Sequence, residues 1–160
     1  VKHCNNLIYV YNTGGDFKNK EDYLSRYPGN DVVDVLSFDT YQWGDPAKED
    51  GFTKSVQNGL AILDSAATET NKLAALAETG YEAIPYANWW TEVLQKAIGN
   101  HTIAYVLLWR NHGYNEWTKK MHYYVPYKGQ VSENNFVKFY EAERSLFEAD
   151  AAKENLYKSH

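Results

Sequence analysis

Four short apolar segments, each followed by a stretch with helical spacing, constrain the fold of this chain more than any other feature. Their composition and length predict strands at residues 7–11, 32–38, 73–77 and 103–108. The periodic stretches predict helices at residues 20–27, 52–70, 89–98 and 133–152. Because strands that alternate with helices pair in parallel through right-handed crossovers, the sequence predicts an α/β fold.

A doubly wound open sheet and a (β/α)₈ barrel both fit this alternation, and the strand ends distinguish them. The predicted strands run into polar or aromatic residues, namely Asn12, Asp39, Glu78 and Trp109. Barrel enzymes gather their active sites at this end of their strands. The pair Gly14-Gly15 alone is weak evidence for a dinucleotide-type phosphate loop. Since a complete barrel takes about 250 residues, we predict half of a (β/α)₈ TIM barrel.

Composition narrows the classes of partner and site. The 160 residues are 44% hydrophobic and 23% charged, with a net charge of −5. This balance argues against a disordered chain and against nucleic acid or an anionic membrane as partners. The single cysteine, Cys4, excludes an internal disulfide and a multi-cysteine metal site. No histidine pair has metal-ligand spacing, so we expect neither a catalytic metal nor a cofactor.

Aromatic content is unusually high, at 16% with 14 Tyr and 5 Trp. These rings have a polar tip and favour surfaces that are half wet. A sugar presents such a surface, since it has an apolar C–H face and a rim of hydroxyls. We therefore predict a sugar-binding groove, with dense core packing as the alternative.

Glu78 and Asp39 are two carboxylates at predicted strand ends. A carboxylate that ends a buried strand is costly unless it is paired or hydrogen-bonded. Each is thus a candidate for chemistry, with an ordinary backbone cap as the alternative. The Tyr41 hydroxyl can hold a neighbouring carboxylate oxygen, which orients the carboxylate and favours its ionised form, as a nucleophile requires.

Aromatic and basic side chains follow the same strand ends. Trp109 can stack beneath a sugar ring, with core packing as the alternative. Arg110 can bond sugar hydroxyls or tether a carboxylate. Trp43 lies in the loop after the second strand, where it is predicted to form the wall of a subsite.

Other aromatic and histidine residues are assigned to packing or loops. One of Trp89 and Trp90, at the start of a helix, is predicted to pack in the core. Residues 113–130 are rich in tyrosine and are predicted to form a loop over the active face. His112 and His122, in or near that loop, are predicted to be structural.

Several segments together resemble glycoside hydrolase family 26. They are YPGND at 27–31 leading to Asp34, FDTY at 38–41, LAETG at 76–80 and AYVLLWRN at 104–111. Their order and spacing are specific, and the resemblance covers nearly the whole chain. It implies strands five to eight of the barrel of a retaining endo-β-1,4-mannanase, with residues 1–160 as the C-terminal half of the catalytic barrel.

The resemblance also implies roles for individual residues. Glu78, at the end of strand seven, is implied to be the catalytic nucleophile. Asp39 and Tyr41 are implied to shape the −1 subsite, with the Tyr41 hydroxyl on the nucleophile. Trp109 is implied to be the stacking platform of that subsite, and Arg110 a hydrogen-bonding residue of the active site.

One part of the family pattern is missing. The family carries its acid/base glutamate on strand four beside a preceding histidine, and no His-Glu pair occurs in this sequence. Because the chain opens with Val1, just before strand five, we expect it to be inactive alone on mannan. General acid help is worth about 10²–10⁴-fold.

The expected half-barrel and the family resemblance also predict binding partners and a cellular location. An open half-barrel exposes two sheet edges, so we expect the N-terminal half-barrel or a second copy of this chain as a protein partner. β-Mannan or a related polysaccharide is the expected substrate. The resemblance implies a secreted, periplasmic or cell-surface protein, because polysaccharides lie outside cells.

Three other functions or folds fit parts of the sequence. One is a hydrolase of the same fold that cleaves another β-glycan, such as mixed-linkage glucan or xylan. A non-catalytic sugar-binding module would use the aromatic groove alone. A self-standing flavodoxin-like domain would need a phosphate site after a strand, and none is evident.

Overall fold

A computed structural model of the protein describes residues 6–153, so Cys4 lies outside the described residues. One parallel sheet contains four strands in chain order, β1 (Val10–Gly14), β2 (Val35–Gln42), β3 (Leu73–Tyr81) and β4 (Val106–Leu108). A separate antiparallel hairpin contains β5 (Gly113–Asn115) and β6 (Lys120–His122). The parallel sheet confirms the predicted α/β fold.

The helices lie between and after these strands. They are α1 (Lys20–Tyr23), α2 (Gly51–Thr70), α3 (Lys96–Ile98), α4 (Glu133–Tyr140) and α5 (Glu148–Lys153). A 3₁₀ turn (Leu24–Arg26) continues α1, and a π-helical stretch (Trp89–Gln95) runs directly into α3. No helix in residues 6–153 is long and apolar enough to cross a membrane.

The predicted helix at 133–152 is wrong as a single element. The chain turns between α4 and α5, and Arg144 in this turn donates to the carbonyls of Gly99 and His101 at 2.5 and 3.0 Å. Phe147 folds back so that its ring centroid lies 4.6 Å from that of Tyr140. These long-range contacts interrupt a pattern that is locally helical.

The strand bounds also move relative to the prediction. Pairing between β1 and β2 begins at Val10 and Val35, three residues later than the apolar runs suggest. The third strand continues past 77 to Tyr81, because the polar residues after Ala77 still pair with β2. The fourth strand is reduced to Val106–Leu108.

One side of the sheet faces the helices and forms the core. Leu36, Phe38 and Leu76 project to this side and are fully buried. The facing residues of α2 are buried at helical spacing, namely Phe52, Val56, Leu60 and Leu63. A Cβ at Gly59 would lie 2.6 Å from the Phe38 ring, so the missing side chain allows helix and strand to approach closely.

The opposite side of the sheet, here called the interior side, carries the alternate residues of the same strands. At its centre the small side chains of Ser37 and Ala75 are buried. Towards the two edges, Val10, Tyr105 and Leu107 remain 40%, 37% and 43% exposed. This side is therefore apolar at its edges yet uncovered by any described element.

Trp89 and Trp90 both belong to the core, whereas only one was predicted to pack. Both side chains are fully buried, and their ring centroids lie 5.0 Å apart at nearly right angles. The Trp90 Nε1 group donates to Ser132 Oγ at 3.0 Å. The pair thus anchors the stretch after β3 to the start of α4.

Candidate active site

A β-bulge in β3 places Glu78 on the interior side of the sheet. Phe38 pairs with Leu76, but the next pair is Asp39 with Glu78, so Ala77 is an extra residue. The pairing with β4 is interrupted at the same place. Since side chains alternate along a strand, Glu78 would otherwise follow Leu76 to the helix-facing side. The bulge therefore sets the direction of this carboxylate.

Tyr41 holds the Glu78 carboxylate directly. Its hydroxyl donates to Glu78 Oε2 at 2.9 Å. Burial and the Glu78 carboxylate together raise the pKa of the Tyr41 hydroxyl well above its usual value, so it remains a donor at neutral and moderately alkaline pH. This bond occupies one carboxylate oxygen and fixes the orientation of the other.

Asp39 is held by a different partner, Asn12 of β1. The Asn12 amide donates to Asp39 Oδ2 at 2.7 Å, and Ser37 Oγ donates to Asn12 Oδ1 at 2.7 Å. Asp39 Oδ1 is buried and accepts no hydrogen bond. The residues alone left open which carboxylate Tyr41 bonds, and the family resemblance implied Glu78. In the structure the Tyr41 hydroxyl bonds Glu78.

The electrostatics of Asp39 follow from this setting. Burial raises the pKa of the Asp39 carboxyl, the hydrogen bond from Asn12 opposes the shift, and the negative charge of Glu78 adds to it. The two carboxylates are cross-strand partners, so each feels the charge of the other. The site therefore concentrates negative charge at the carboxyl ends of β2 and β3.

Trp109 and Arg110 follow β4 at the same end of the sheet. The Trp109 backbone N–H donates to the Thr79 carbonyl at 3.0 Å, which places it beside the residue after Glu78. Its side chain is half-buried, and the exposed Arg110 guanidinium lies 6.0 Å from the Trp109 ring centroid. The structure thus brings the end of β4 next to the Glu78 end of β3.

Trp43 extends this aromatic surface towards solvent. It is 82% exposed, and its ring centroid lies 6.1 Å from that of Tyr41. The loop that carries it is tied down by buried Gln42, whose Nε2 donates to the Gly44 carbonyl and to Glu49 Oε1 at 2.8 and 3.1 Å. An exposed indole on a fixed loop offers a flat apolar face next to the carboxylates.

The segment 113–130, predicted as a loop, contains the β5–β6 hairpin. His122 at the end of β6 has its Nδ1 2.7 Å from Glu82 Oε1. His112 donates its backbone N–H to the His122 carbonyl at 2.9 Å, and its own side chain is exposed. Within residues 6–153, no group of three or more acidic, histidine or cysteine side chains is placed to hold a metal ion.

The sequence analysis placed Asn12 at a strand end without giving it a role, and it did not select Ser37 or Tyr124 as parts of the site. The alternation along β2 places Ser37 and Asp39 on one side, and this signal was available in the sequence. Asn12 becomes relevant only when its pairing with Ser37 across the strands is known. Tyr124 is distant in the chain, yet its ring centroid lies 5.6 Å from that of Tyr41.

Comparisons with known proteins identify relatives of this chain. The mannan endo-1,4-beta-mannosidase of Bifidobacterium adolescentis is 28% identical over 171 residues, which cover 98% of this chain and 16% of that protein. The solved GH26 beta-mannanase from Bacteroides ovatus is 39% identical with a TM-score of 0.82, covering 98% of this chain and 44% of that one. For the GH26 endo-beta-1,4-mannanase catalytic domain from Bacillus sp. JAMB-750 the identity is 31% and the TM-score 0.79, covering 96% and 42%.

This chain therefore spans less than half the length of each of these relatives. Residues 1–134 match the sequence model of Glycosyl hydrolase family 26, which is most of the chain. The matched range includes all four strands of the parallel sheet. The chain belongs to glycosyl hydrolase family 26.

Proposed function

We propose that this chain forms the C-terminal half of the catalytic barrel of a retaining endo-β-1,4-mannanase, contributing strands five to eight and the nucleophile Glu78. The substrate class is inferred from the relatives, whose names specify mannan or β-mannan as their substrate. The single observation that carries the assignment is the Tyr41–Glu78 hydrogen bond beside Asp39, at the carboxyl ends of parallel strands.

The reaction would proceed by double displacement. The free Glu78 oxygen attacks the anomeric carbon, the bond from that carbon to the leaving-group oxygen breaks, and an acid protonates that oxygen. Water, deprotonated by the same group, then attacks the glycosyl–Glu78 ester and releases the sugar. Tyr41 holds the other Glu78 oxygen throughout, so the attacking lone pair stays directed at the sugar.

The neighbouring side chains would bind the sugar in the −1 subsite. Asp39, only partly buried and the cross-strand partner of Glu78, would accept a hydrogen bond from a sugar hydroxyl. The Trp109 ring would stack on the C–H face of the sugar, and Arg110 would donate to hydroxyls. Trp43, largely exposed on its fixed loop, would line the next subsite.

A second carboxyl group must supply the proton, and we propose that it lies outside this sequence. The family places it after a histidine, and no His-Glu pair is present here. Without it, Glu78 must expel an unprotonated alkoxide, which forfeits about 10²–10⁴-fold in rate. The chain alone should therefore fail to turn over unactivated mannan, and steady release of reducing ends from mannan would contradict this.

The uncovered interior side suggests what completes the site. Val10 on one edge strand and Tyr105 and Leu107 at the other are partly exposed apolar residues. We propose that the remaining four βα units of a barrel pair with β1 and β4 and cover them. A clean monomer of this chain in size-exclusion chromatography would argue against a second copy as the partner. Since the substrate is an external polysaccharide, we further propose secretion or surface display.

The test of the nucleophile uses a leaving group that needs no acid. A 2-deoxy-2-fluoro-β-mannosyl fluoride should form a stable ester on Glu78, detected by mass spectrometry of the digested protein. Glu78→Gln is the matched control and should remain unlabelled. Binding of manno-oligosaccharides without any label, in the protein that carries this sequence at its full natural length, would favour a non-catalytic sugar-binding module. Faster labelling by the corresponding glucosyl fluoride would favour another β-glycan.

A further inference from the structure

In the segment that follows β4, the Asn111 side chain binds the backbone of residues further along the same segment. Asn111 Oδ1 accepts from the backbone N–H groups of Tyr124 and Val125 at 2.9 and 3.0 Å. Its Nδ2 group donates back to the Val125 carbonyl at 3.0 Å. One side chain, next to Arg110 in sequence, therefore fixes the backbone of Tyr124 and Val125 with three hydrogen bonds.

The Tyr124 ring fills the space above Gly80. Tyr124 is only 6% exposed. A Cβ at Gly80 would collide with the Tyr124 ring, so the ring packs directly on the β3 backbone two residues after Glu78. Gly80 is the cross-strand partner of Tyr41. The position of the Tyr124 ring is thus defined by the strand that carries the nucleophile.

The same ring packs against Tyr41. The two ring centroids lie 5.6 Å apart with an interplanar angle of 62°, an edge-to-face contact. Trp43 contacts Tyr41 as well, at 6.1 Å, but it is largely exposed and has room to move. Tyr124 is therefore the buried neighbour that limits rotation of the Tyr41 ring.

Beyond Gly80, the chain after β3 adopts a strained turn. Ala83 and Ile84 have φ values of 59° and 39°, and Ile84 is fully buried. Such a conformation persists only where surrounding contacts determine it. Here the Ala83 N–H donates to the Tyr123 carbonyl at 2.8 Å, and Gln130 Nε2 donates to the Ala83 and Ile84 carbonyls at 3.0 and 2.9 Å.

From these contacts we propose that Tyr124 is a positioning residue for the nucleophile, acting through Tyr41. This inference rests on the proposed role of Glu78. The segment after β4 holds the exit of β3, and the Tyr124 ring keeps the Tyr41 hydroxyl directed at Glu78. Without that ring, Tyr41 gains rotational freedom over Gly80, and Glu78 loses its fixed orientation towards the anomeric carbon.

Two substitutions distinguish the contribution of the Tyr124 ring from that of its hydroxyl. Tyr124→Phe keeps the ring, so the rate of Glu78 labelling by 2-deoxy-2-fluoro-β-mannosyl fluoride should stay within about twofold. Tyr124→Met fills a similar volume without a flat edge. It should slow the maximal labelling rate roughly 10- to 100-fold, as small misplacements at a reacting centre do. The reagent concentration at half-maximal rate should change little.

A double variant tests whether Tyr124 acts through Tyr41. Tyr41→Phe alone should slow labelling to a similar degree, and adding Tyr124→Met should cause no further loss, because residues that act as a unit are not additive. A merely structural residue would lower the rate in both backgrounds. Multiplied losses, or an unchanged rate in Tyr124→Met, would overturn the proposal.

The measurements use the full natural chain that carries this sequence, with cooperative thermal unfolding of each variant as the control for folding. Should Tyr124→Met not fold, Asn111→Ala removes the clamp on the Tyr124 backbone while leaving every ring in place. It should lower the maximal labelling rate in the wild-type background and not in Tyr41→Phe, and equal losses in both would refute the role. If the wild-type protein is not labelled on Glu78, the proposed function fails, which is a separate outcome.

Discussion

The two sides of the parallel sheet are built from the same strands but have different roles. On the helix-facing side, Leu36, Phe38 and Leu76 are fully buried against α2, and this part of the core is complete within the chain. On the interior side, Ser37, Asp39 and Glu78 form a polar row, and the edges remain uncovered. Residues that stabilise this chain are thereby separated from residues proposed to act on a sugar.

The bulge at Ala77 is what makes this separation possible on β3. Residues before it alternate so that Leu76 enters the core, and residues after it resume with Glu78 on the interior side and Tyr81 back in the core. One extra residue therefore lets a single strand provide a core leucine and a carboxylate two positions apart without burying the charge among the helices.

The largest expected effect comes from a substitution on the interior side, which should abolish catalytic activity without lowering stability. Glu78→Gln keeps the shape of the side chain and an oxygen that accepts from Tyr41. In the protein that carries this sequence, hydrolysis of an activated aryl mannoside should fall by roughly 10³-fold or more. The melting temperature should stay within about 2 °C, since no core contact changes. Retained activity would remove Glu78 from the proposed mechanism.

The second prediction concerns the helix-facing side. Phe38→Ala should lower the free energy of unfolding by about 3–5 kcal/mol, because a fully buried ring leaves a cavity against α2. Urea denaturation measures this.

Leu107→Ala is the matched change on the interior side. In this chain alone it should cost about 1 kcal/mol or less, since Leu107 is 43% exposed. In the complete protein the cost should rise to about 2–5 kcal/mol if other strands cover that face. Equal costs in both settings would contradict the proposed half-barrel.

The third prediction is that replacing a glycine by alanine inside α2 destabilises the protein, the opposite of the usual effect in a helix. Alanine is normally more favourable than glycine inside a helix by about 1 kcal/mol. At position 59 a Cβ would lie 2.6 Å from the Phe38 ring, so Gly59→Ala should destabilise the protein by about 1–3 kcal/mol. The exposed change Asn58→Ala on the same helix is the control and should be neutral or stabilising. A stabilising Gly59→Ala would mean that Phe38 moves freely in the core.

The alternation of strands and helices was readable from the sequence, because apolar runs and helical spacing are local signals. Side-chain alternation along β2 was equally readable, although it was not used to place Ser37 beside Asp39. The bulge at Ala77 was not predictable, since the register of β3 is set by pairing with β2 and β4. The proposed role of Tyr124 depends on a long-range packing contact, and no short motif encodes such a contact.

The β5–β6 hairpin and the interrupted last helix were also not predictable from local sequence patterns. Strands β5 and β6 have three residues each and are polar, so they resemble a loop. The interruption after Tyr140 depends on Arg144 reaching carbonyls more than 40 residues away in sequence. Local periodicity carries no information on such a contact.

The smallest predicted effect is a dependence of stability on pH. It is measured by comparing the wild-type protein with Asp39→Asn, in which one carboxylate of the polar row is replaced by a neutral amide. Burial raises the pKa of Asp39 in the folded protein, and the charge of Glu78 adds to the shift. The folded state then binds a proton more tightly than the unfolded state. Stability is therefore lost as the pH rises through and above the ordinary aspartate pKa of about 3.9. Asp39→Asn cannot ionise, and its amide oxygen still accepts from Asn12.

The melting temperature of Asp39→Asn relative to wild type should accordingly increase, by a few degrees or less, as the pH rises above about 3.9, and level off once the folded Asp39 carboxyl is ionised. Calorimetry of both proteins across this range measures the difference. Asn12→Ser is the companion variant: without the amide donor, the ionised Asp39 loses the bond that opposes its pKa shift, so the decline in stability should become larger and extend to a higher pH. A wild-type protein that gains stability over Asp39→Asn as the pH rises would mean that the ionised carboxylate is favoured in the folded site. Asp39 would then be a charge that the folded site already satisfies.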